Sequence, residues 1–149
     1  MENEIKYTEK EIELLLKKHG IRLTAIRILI LKEMFKFKNT FNLTDLEISL
    51  DTIDKSTIFR AIILFEEQHL LHSIEDGSGS VKYCVCTQDH ICSINELHAH
   101  FHCEVCKQTF CIENEHIPLI HLEDGFVAKS INYTIKGICP KCKDLNHMN

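Results

Sequence analysis

No stretch of this 149-residue chain reaches the roughly 18 consecutive apolar residues that a bilayer-spanning helix needs. The opening segment, Met1 to Lys10, is polar and lacks the apolar core of a signal peptide. These two absences argue against a helical membrane protein and lead us to expect a cytoplasmic one. Also missing is any surplus of positive charge: the formal net charge is −5, which argues against broad, non-specific affinity for nucleic acid. Residues 1–86 carry 12 Lys+Arg against 14 Asp+Glu, and residues 87–149 carry 5 against 8. A DNA-binding surface here must gather its cations locally, and bound metal would help it. No internal repeat, low-complexity segment, phosphate loop or nucleophile–base pairing is visible, so neither an enzyme nor a small-molecule substrate is expected.

What the chain has in quantity is cysteine and histidine, with 8 of the first and 10 of the second. Cytosolic thiols stay reduced, so such a chain reads as metal-binding or redox-active before it reads as disulfide-stapled. At this length it makes one ordinary domain or two small ones, and small lobes bury so little surface that a metal staple or a dimer partner is expected.

The apolar spacing of the first half is helical. Glu9 to His19 sets Ile12, Leu15 and Leu16 on one side before the stop at Gly20. Thr24 caps a second helix to about Phe37, with Ile28, Leu31, Met34 and Phe35 facing the core. Thr44-Asp45-Leu46-Glu47 fits a capping box for a short third helix ending near Leu50. A fourth helix, from about Lys55 to Gln68, carries Ile58, Ile62 and Phe65. Leu70 to Ile74 and Val81 to Cys86 then alternate as strands around the turn Glu75-Asp76-Gly77-Ser78-Gly79-Ser80. Helices followed by a two-stranded hairpin predict an α+β chain that begins with a winged helix, a helix-turn-helix variant, over residues 1–88. Residues 89–97 read as a hinge and residues 98–149 as a small α/β lobe. In that lobe His98 to Cys111 is strand and knuckle, Glu115 to Glu123 a short helix, and Gly125 to Ile138 a strand.

Cys103-Glu-Val-Cys106 and Cys139-Pro-Lys-Cys142 are two C-x-x-C pairs. Each presents two thiolates from one tight turn, and together they complete a tetrahedral sulfur shell for a structural zinc. Local disulfides do not suit the cytosol, and no βαβ pattern supports a thioredoxin-like dithiol. Nucleobase-deaminase chemistry needs His-x-Glu and Pro-Cys-x-x-Cys, whereas His98-Ala-His100-Phe-His102 holds no glutamate and Pro140 lies inside its pair. His98, His100 and His102 alternate along one strand face, and Cys84 and Cys86 alternate along the wing. With His72 and Cys111 these can supply a second nitrogen–sulfur site between the lobes. The bland alternative is ordinary polar surface, which we prefer for His90, His116, His121 and His147.

The residues then resemble the ferric uptake regulator (Fur) family over nearly the whole chain. Gly20-Ile-Arg22-Leu-Thr24-Ala-Ile-Arg27 looks like its G-x-R-x-T-x-x-R opening, and Thr57-Ile-Phe59-Arg60 like its recognition-helix T-V-Y-R. His98-x-His100-x-x-Cys103-x-x-Cys106 and Gly137-Ile-Cys139-x-x-Cys142 look like its metal and closing motifs. The resemblance implies a winged helix that binds DNA, a C-terminal lobe that forms a homodimer, and a regulatory metal between them. It places Ser56, Thr57, Phe59 and Arg60 toward DNA, with Lys17, Lys18 and Arg22 as phosphate contacts. Phe59 departs from the usual tyrosine, and packing in the core is its alternative reading. The regulatory set it implies is His72, Cys84 or Cys86, His98, His100 and Cys111.

Iron- and peroxide-sensing members carry a histidine where this chain has Thr40, carboxylates at Cys84 and Cys111, and a further histidine near Ile131. Thiolate in place of carboxylate favours Zn2+ over Fe2+ as the regulatory metal. The expectation is a zinc-sensing repressor of metal-uptake genes on a near-palindromic double-stranded operator. A zinc-stapled protein-interaction module and a thiol redox sensor are its rivals from other classes.

Overall fold

The computed structural model describes residues 7–85, 99–112, 117–118, 120–129 and 131–146. Four helices come first: α1 (Glu9–Lys18), α2 (Ala25–Met34), α3 (Leu43–Ser49) and α4 (Lys55–Glu67). The hairpin β1 (Leu71–Ile74) and β2 (Lys82–Val85) follows, then β3 (Ala99–Cys103), β4 (Thr109–Ile112), β5 (Thr134–Gly137) and α5 (Pro140–Asn146). Among the described residues no helix is long and apolar enough to cross a membrane.

Local chemistry sets the helix ends. Thr8 and Glu11 form a reciprocal capping box on α1, and Gly20 takes φ 68° just beyond its end. Thr24 caps α2 by accepting from Arg27 N at 3.3 Å. The helix stops at Met34, three residues short of the expected Phe37. On α3 the cap is Asn42, not Thr44: Asn42 and Asp45 exchange backbone bonds at 2.8 Å each. The chain just before is fixed by a bridge to the wing, with Phe41 N–Tyr83 O at 3.2 Å and Tyr83 N–Phe41 O at 2.7 Å. Extended backbone at Phe41 leaves the next residue as the natural cap, so the helix begins two residues earlier than the Thr44 box predicts.

Ile12, Leu16, Leu31, Met34, Ile58, Ile62 and Phe65 close one apolar core, with Leu15, Ile28 and Phe35 packed on its margin. One face of the β1–β2 wing completes it through Leu71, Tyr83 and Val85. The opposite face carries His72, Ile74, Lys82 and Cys84, because side chains alternate along a strand. The second sheet has the order β4-β3-β5, with β3–β4 antiparallel and β3–β5 parallel. One of its faces bears Phe101, Phe110 and Cys103, and the other His100, His102, Thr109 and Cys111.

The second lobe departs most from expectation. The described residues between 115 and 123 hold no helix, and the last strand is only Thr134–Gly137. Helix α5 was not expected at all. Pro140 sits at its first position, where a missing N–H costs nothing and a fixed φ suits the helix.

Candidate metal centres and nucleic-acid interface

Four sulfurs converge where β3, its following turn, the end of β5 and α5 meet. The Sγ atoms of Cys103, Cys106, Cys139 and Cys142 all lie within 4.8 Å of one another. Cys103, Cys139 and Cys142 are buried and Cys106 is exposed. Lys107, at φ 62°, turns the first knuckle, and its N–H bonds back to Cys103 O at 2.9 Å. Burial pushes the Cys103 thiol up, but N–H groups of Cys139, Cys106 and Val105 outweigh it and bring it down to about 6. Cys139 N donates to its sulfur at 3.3 Å. Burial, with the neighbouring thiols of Cys139, Cys106 and Cys103, pushes Cys142 up to about 12. A cluster of four thiols, three of them buried, with backbone N–H groups aimed at one sulfur fits a Zn2+ ion, which deprotonates its ligands outright. Among the described residues, only Phe101 and Phe110 pack on the core formed by Cys103, Cys139 and Cys142, so this part of the lobe has little apolar burial of its own.

The second cluster lies between the two sheets. His72 pairs with Cys84 across the wing, and His100 pairs with Cys111 across β3–β4. The two pairs face each other: His72 Nε2 is 3.3 Å from His100 Nε2, and Cys111 Sγ is 3.1 Å from Cys84 Sγ. The ligand atoms of His72, His100 and Cys111 lie within 4.8 Å of one another, and Cys84 borders that trio through Cys111. Two nitrogens on a tetrahedral zinc stand about 3.3 Å apart, given Zn–N bonds of roughly 2.0–2.1 Å. The histidine pair therefore fits this ion. Of the expected set, Cys86 and His98 lie outside the described residues.

Next to this cluster is a buried polar group that sequence reasoning missed. Asp76, in the wing turn and 1% exposed, meets Lys82 Nζ at 2.8 Å and His102 Nδ1 at 3.3 Å. Thr109 Oγ1 donates to its carboxylate at 2.8 Å, and Ser78 N donates at 2.9 Å. Burial raises the Asp76 carboxyl, yet bonds from Lys82, Ser78 and Thr109 hold it well below the usual carboxylate range. Thr40, in the position where the family resemblance expects a histidine, donates to Thr109 O at 3.2 Å. Nothing local in the turn sequence marks Asp76, because two of its partners, His102 and Thr109, come from the other lobe.

The expected DNA-facing residues gather in part. Ser56, Phe59 and Arg60 are exposed on one side of α4, while Thr57 is half-buried. Phe59 is 48% exposed, so it does not pack in the core. Asp54 caps the helix, accepting from Ser56 N at 3.2 Å. Lys17, Lys18 and Arg22 are exposed around the end of α1, where Arg22 O accepts from Arg27 Nη1 at 2.8 Å.

The model of the ferric uptake regulator family matches residues 18–136. The ferric uptake regulation protein of Campylobacter upsaliensis is 23% identical over 143 residues, covering 89% of this chain and 85% of that protein. Among solved structures, a zinc uptake regulator complexed with zinc and DNA superposes with a TM-score of 0.67 at 21% identity, covering 95% of this chain and 99% of the other. The Helicobacter pylori ferric uptake regulator, described as having three functional metal-binding sites, gives 0.61 at 14%, covering 93% and 95%.

Proposed function

The chain belongs to the ferric uptake regulator family of metal-responsive transcription regulators, and from that premise we propose that it is a zinc-responsive DNA-binding repressor of metal-uptake genes. The observation that carries the choice of metal is the cluster of His72, His100 and Cys111 with Cys84 beside it. Imidazole with thiolate is a borderline-to-soft donor set, suited to zinc, and among the described residues no carboxylate belongs to it. His98 and Cys86 complete the proposed regulatory set.

A second zinc in the Cys103–Cys106–Cys139–Cys142 shell is structural in this reading. The division of labour is a winged helix over 1–88, a hinge over 89–97 and a dimerising lobe over 98–149. Homodimerisation draws support from Phe126, Val127, Ile135 and Ile138, large apolar residues exposed on the C-terminal lobe. A twofold dimer presents two α4 helices to a near-palindromic operator in duplex DNA. Arg60, Ser56, Thr57 and Phe59 would read or flank the bases, and Lys17, Lys18 and Arg22 would meet phosphates. Metal works by population shift: it must bind the DNA-competent arrangement of wing and sheet more tightly than the open one.

The test is a titration of Zn2+ and Fe2+ into protein that retains one zinc per chain, read by binding to a DNA fragment from its own promoter. Zinc promoting binding at lower free concentration than iron supports the reading. The curated Campylobacter relatives are named for iron, so the reverse order would assign the chain to iron instead.

A further inference from the structure

The two sheets that face each other between the lobes do so over two successive rungs. On the first, His72–Cys84 of the wing meets His100–Cys111 of the second sheet. Two residues along every strand, Ile74–Lys82 meets His102–Thr109. The first rung offers metal ligands. The second already contains its own cation, the Lys82 ammonium, held at 2.8 Å from Asp76 and bonded to Thr109 Oγ1 at 3.2 Å and Lys107 O at 2.9 Å.

We propose that Asp76 is a positioning residue: with Lys82, His102 and Thr109 it forms a metal-independent clasp that seats the wing on the C-terminal sheet and so brings the ligands of the neighbouring rung together. The functional consequence rests on the zinc reading of that rung.

Three observations carry it. First, the contacts of Asp76 cross between lobes while its own turn is shaped around it: Ser78 N closes on its side chain, and Gly77 takes φ 80°. The end of the Lys136 side chain, from β5, reaches over this turn, 2.7 Å from where a Cβ at Gly77 would lie. Second, the turn backbone is tied as well, with Asn132 Nδ2 donating to Glu75 O at 2.7 Å. Third, a buried carboxylate persists only when its charge and lone pairs are matched, and here every partner named is a protein group, from Lys82, His102, Thr109 and Ser78. Strand rungs two residues apart move together, so seating one rung fixes the other. Ligands held near their bound positions take metal with higher apparent affinity, because affinity scales with the fraction of chains in the competent arrangement.

The experiment compares wild type, Asp76→Ala, Lys82→Arg and the double variant Asp76→Leu/Lys82→Met, each holding one zinc per chain. The double variant removes both charges of the pair, the buried Asp76 carboxylate and the half-buried Lys82 ammonium, so neither is left unpaired if the single alanine change fails to fold. X-ray scattering without further metal reads the spread of the lobes, and competition against a chelating indicator reads affinity for added Zn2+. The double variant is expected to have a larger radius of gyration and about tenfold weaker zinc binding, with unchanged helix content; Lys82→Arg, which keeps the cation, is expected to match wild type. If either readout of the double variant stays at the wild-type value, the proposal is overturned. If wild type binds no second zinc, the zinc reading of the first rung fails instead, and scattering alone then decides the clasp.

Discussion

Arg60 and Phe59 lie together on the exposed side of α4, while Ile58, Ala61 and Ile62 on its other side are buried in the core. That division separates binding from folding at single residues. Removing an exposed arginine that contributes nothing to the core moves stability by no more than about 0.5 kcal/mol. If Arg60 makes a bidentate contact to guanine, Arg60→Ala should weaken operator binding by about 1–3 kcal/mol. If it meets phosphate, the loss should be shared by all sequences and lower the salt slope by about one unit. Binding isotherms at several salt concentrations, with thermal melts as control, separate these outcomes; unchanged affinity throughout would take Arg60 off the interface. The buried side of this helix was legible in the sequence, because Ile58, Ile62 and Phe65 recur at helical spacing, a local pattern. Asp76 was not. Its turn, Glu75-Asp76-Gly77-Ser78, reads like any solvent loop, and only the approach of Thr109 and His102 turns its carboxylate into a buried, four-partnered group.

At the level of elements, legibility followed the range of the interactions that fix each one. The ends of α1 and α4 matched expectation to about a residue, because caps and stops depend on neighbours within one turn. The start of α3 did not, since two overlapping boxes competed and the long-range Phe41–Tyr83 bridge decided between them. This gives a test. Asn42→Ala should cost about 1 kcal/mol, the usual value of a lost N-cap, while Thr44→Ala, at an exposed position inside the helix, should cost close to nothing. Urea midpoints at constant slope measure both, and a larger loss at Thr44 would restore the box the sequence favoured. In the C-terminal lobe the strands depend on pairing: β5 is four residues long because β3 pairs with it only from His100 to Cys103. No periodicity within 125–138 encodes that limit. The paired cysteines, by contrast, were readable from spacing alone, since tetrahedral sulfur ligation constrains each C-x-x-C turn locally.

Across the whole molecule, two metal centres are expected to do different things, and their placement predicts how. The four-cysteine shell lies entirely within the C-terminal lobe, on β3, its knuckle, the end of β5 and α5. The second cluster takes His72 and Cys84 from the wing and His100 and Cys111 from the other sheet. Losing an ion inside a lobe whose described residues form so small an apolar core should unfold that lobe, because structural zinc supplies roughly 10–16 kcal/mol at neutral pH in small domains. Losing an ion between lobes should instead free their relative position while each lobe keeps its fold. Cys103→Ser is therefore expected to lose the structural zinc together with helix α5 and the dimer. His100→Ala is expected to stay folded and dimeric with one zinc per chain, yet to bind operator equally weakly with and without added zinc. Removing a buried imidazole also leaves space beside the wing, so the melting temperature of His100→Ala should fall modestly, whereas its zinc-dependent rise should vanish. Elemental analysis, sedimentation and operator binding at controlled free zinc read these properties on the same samples. A His100→Ala protein that still responds to zinc like wild type would move the sensing site away from this rung. One that loses its tightly held zinc would show that the two centres are not separate, and the assignment of structural and regulatory roles to different lobes would fall with it.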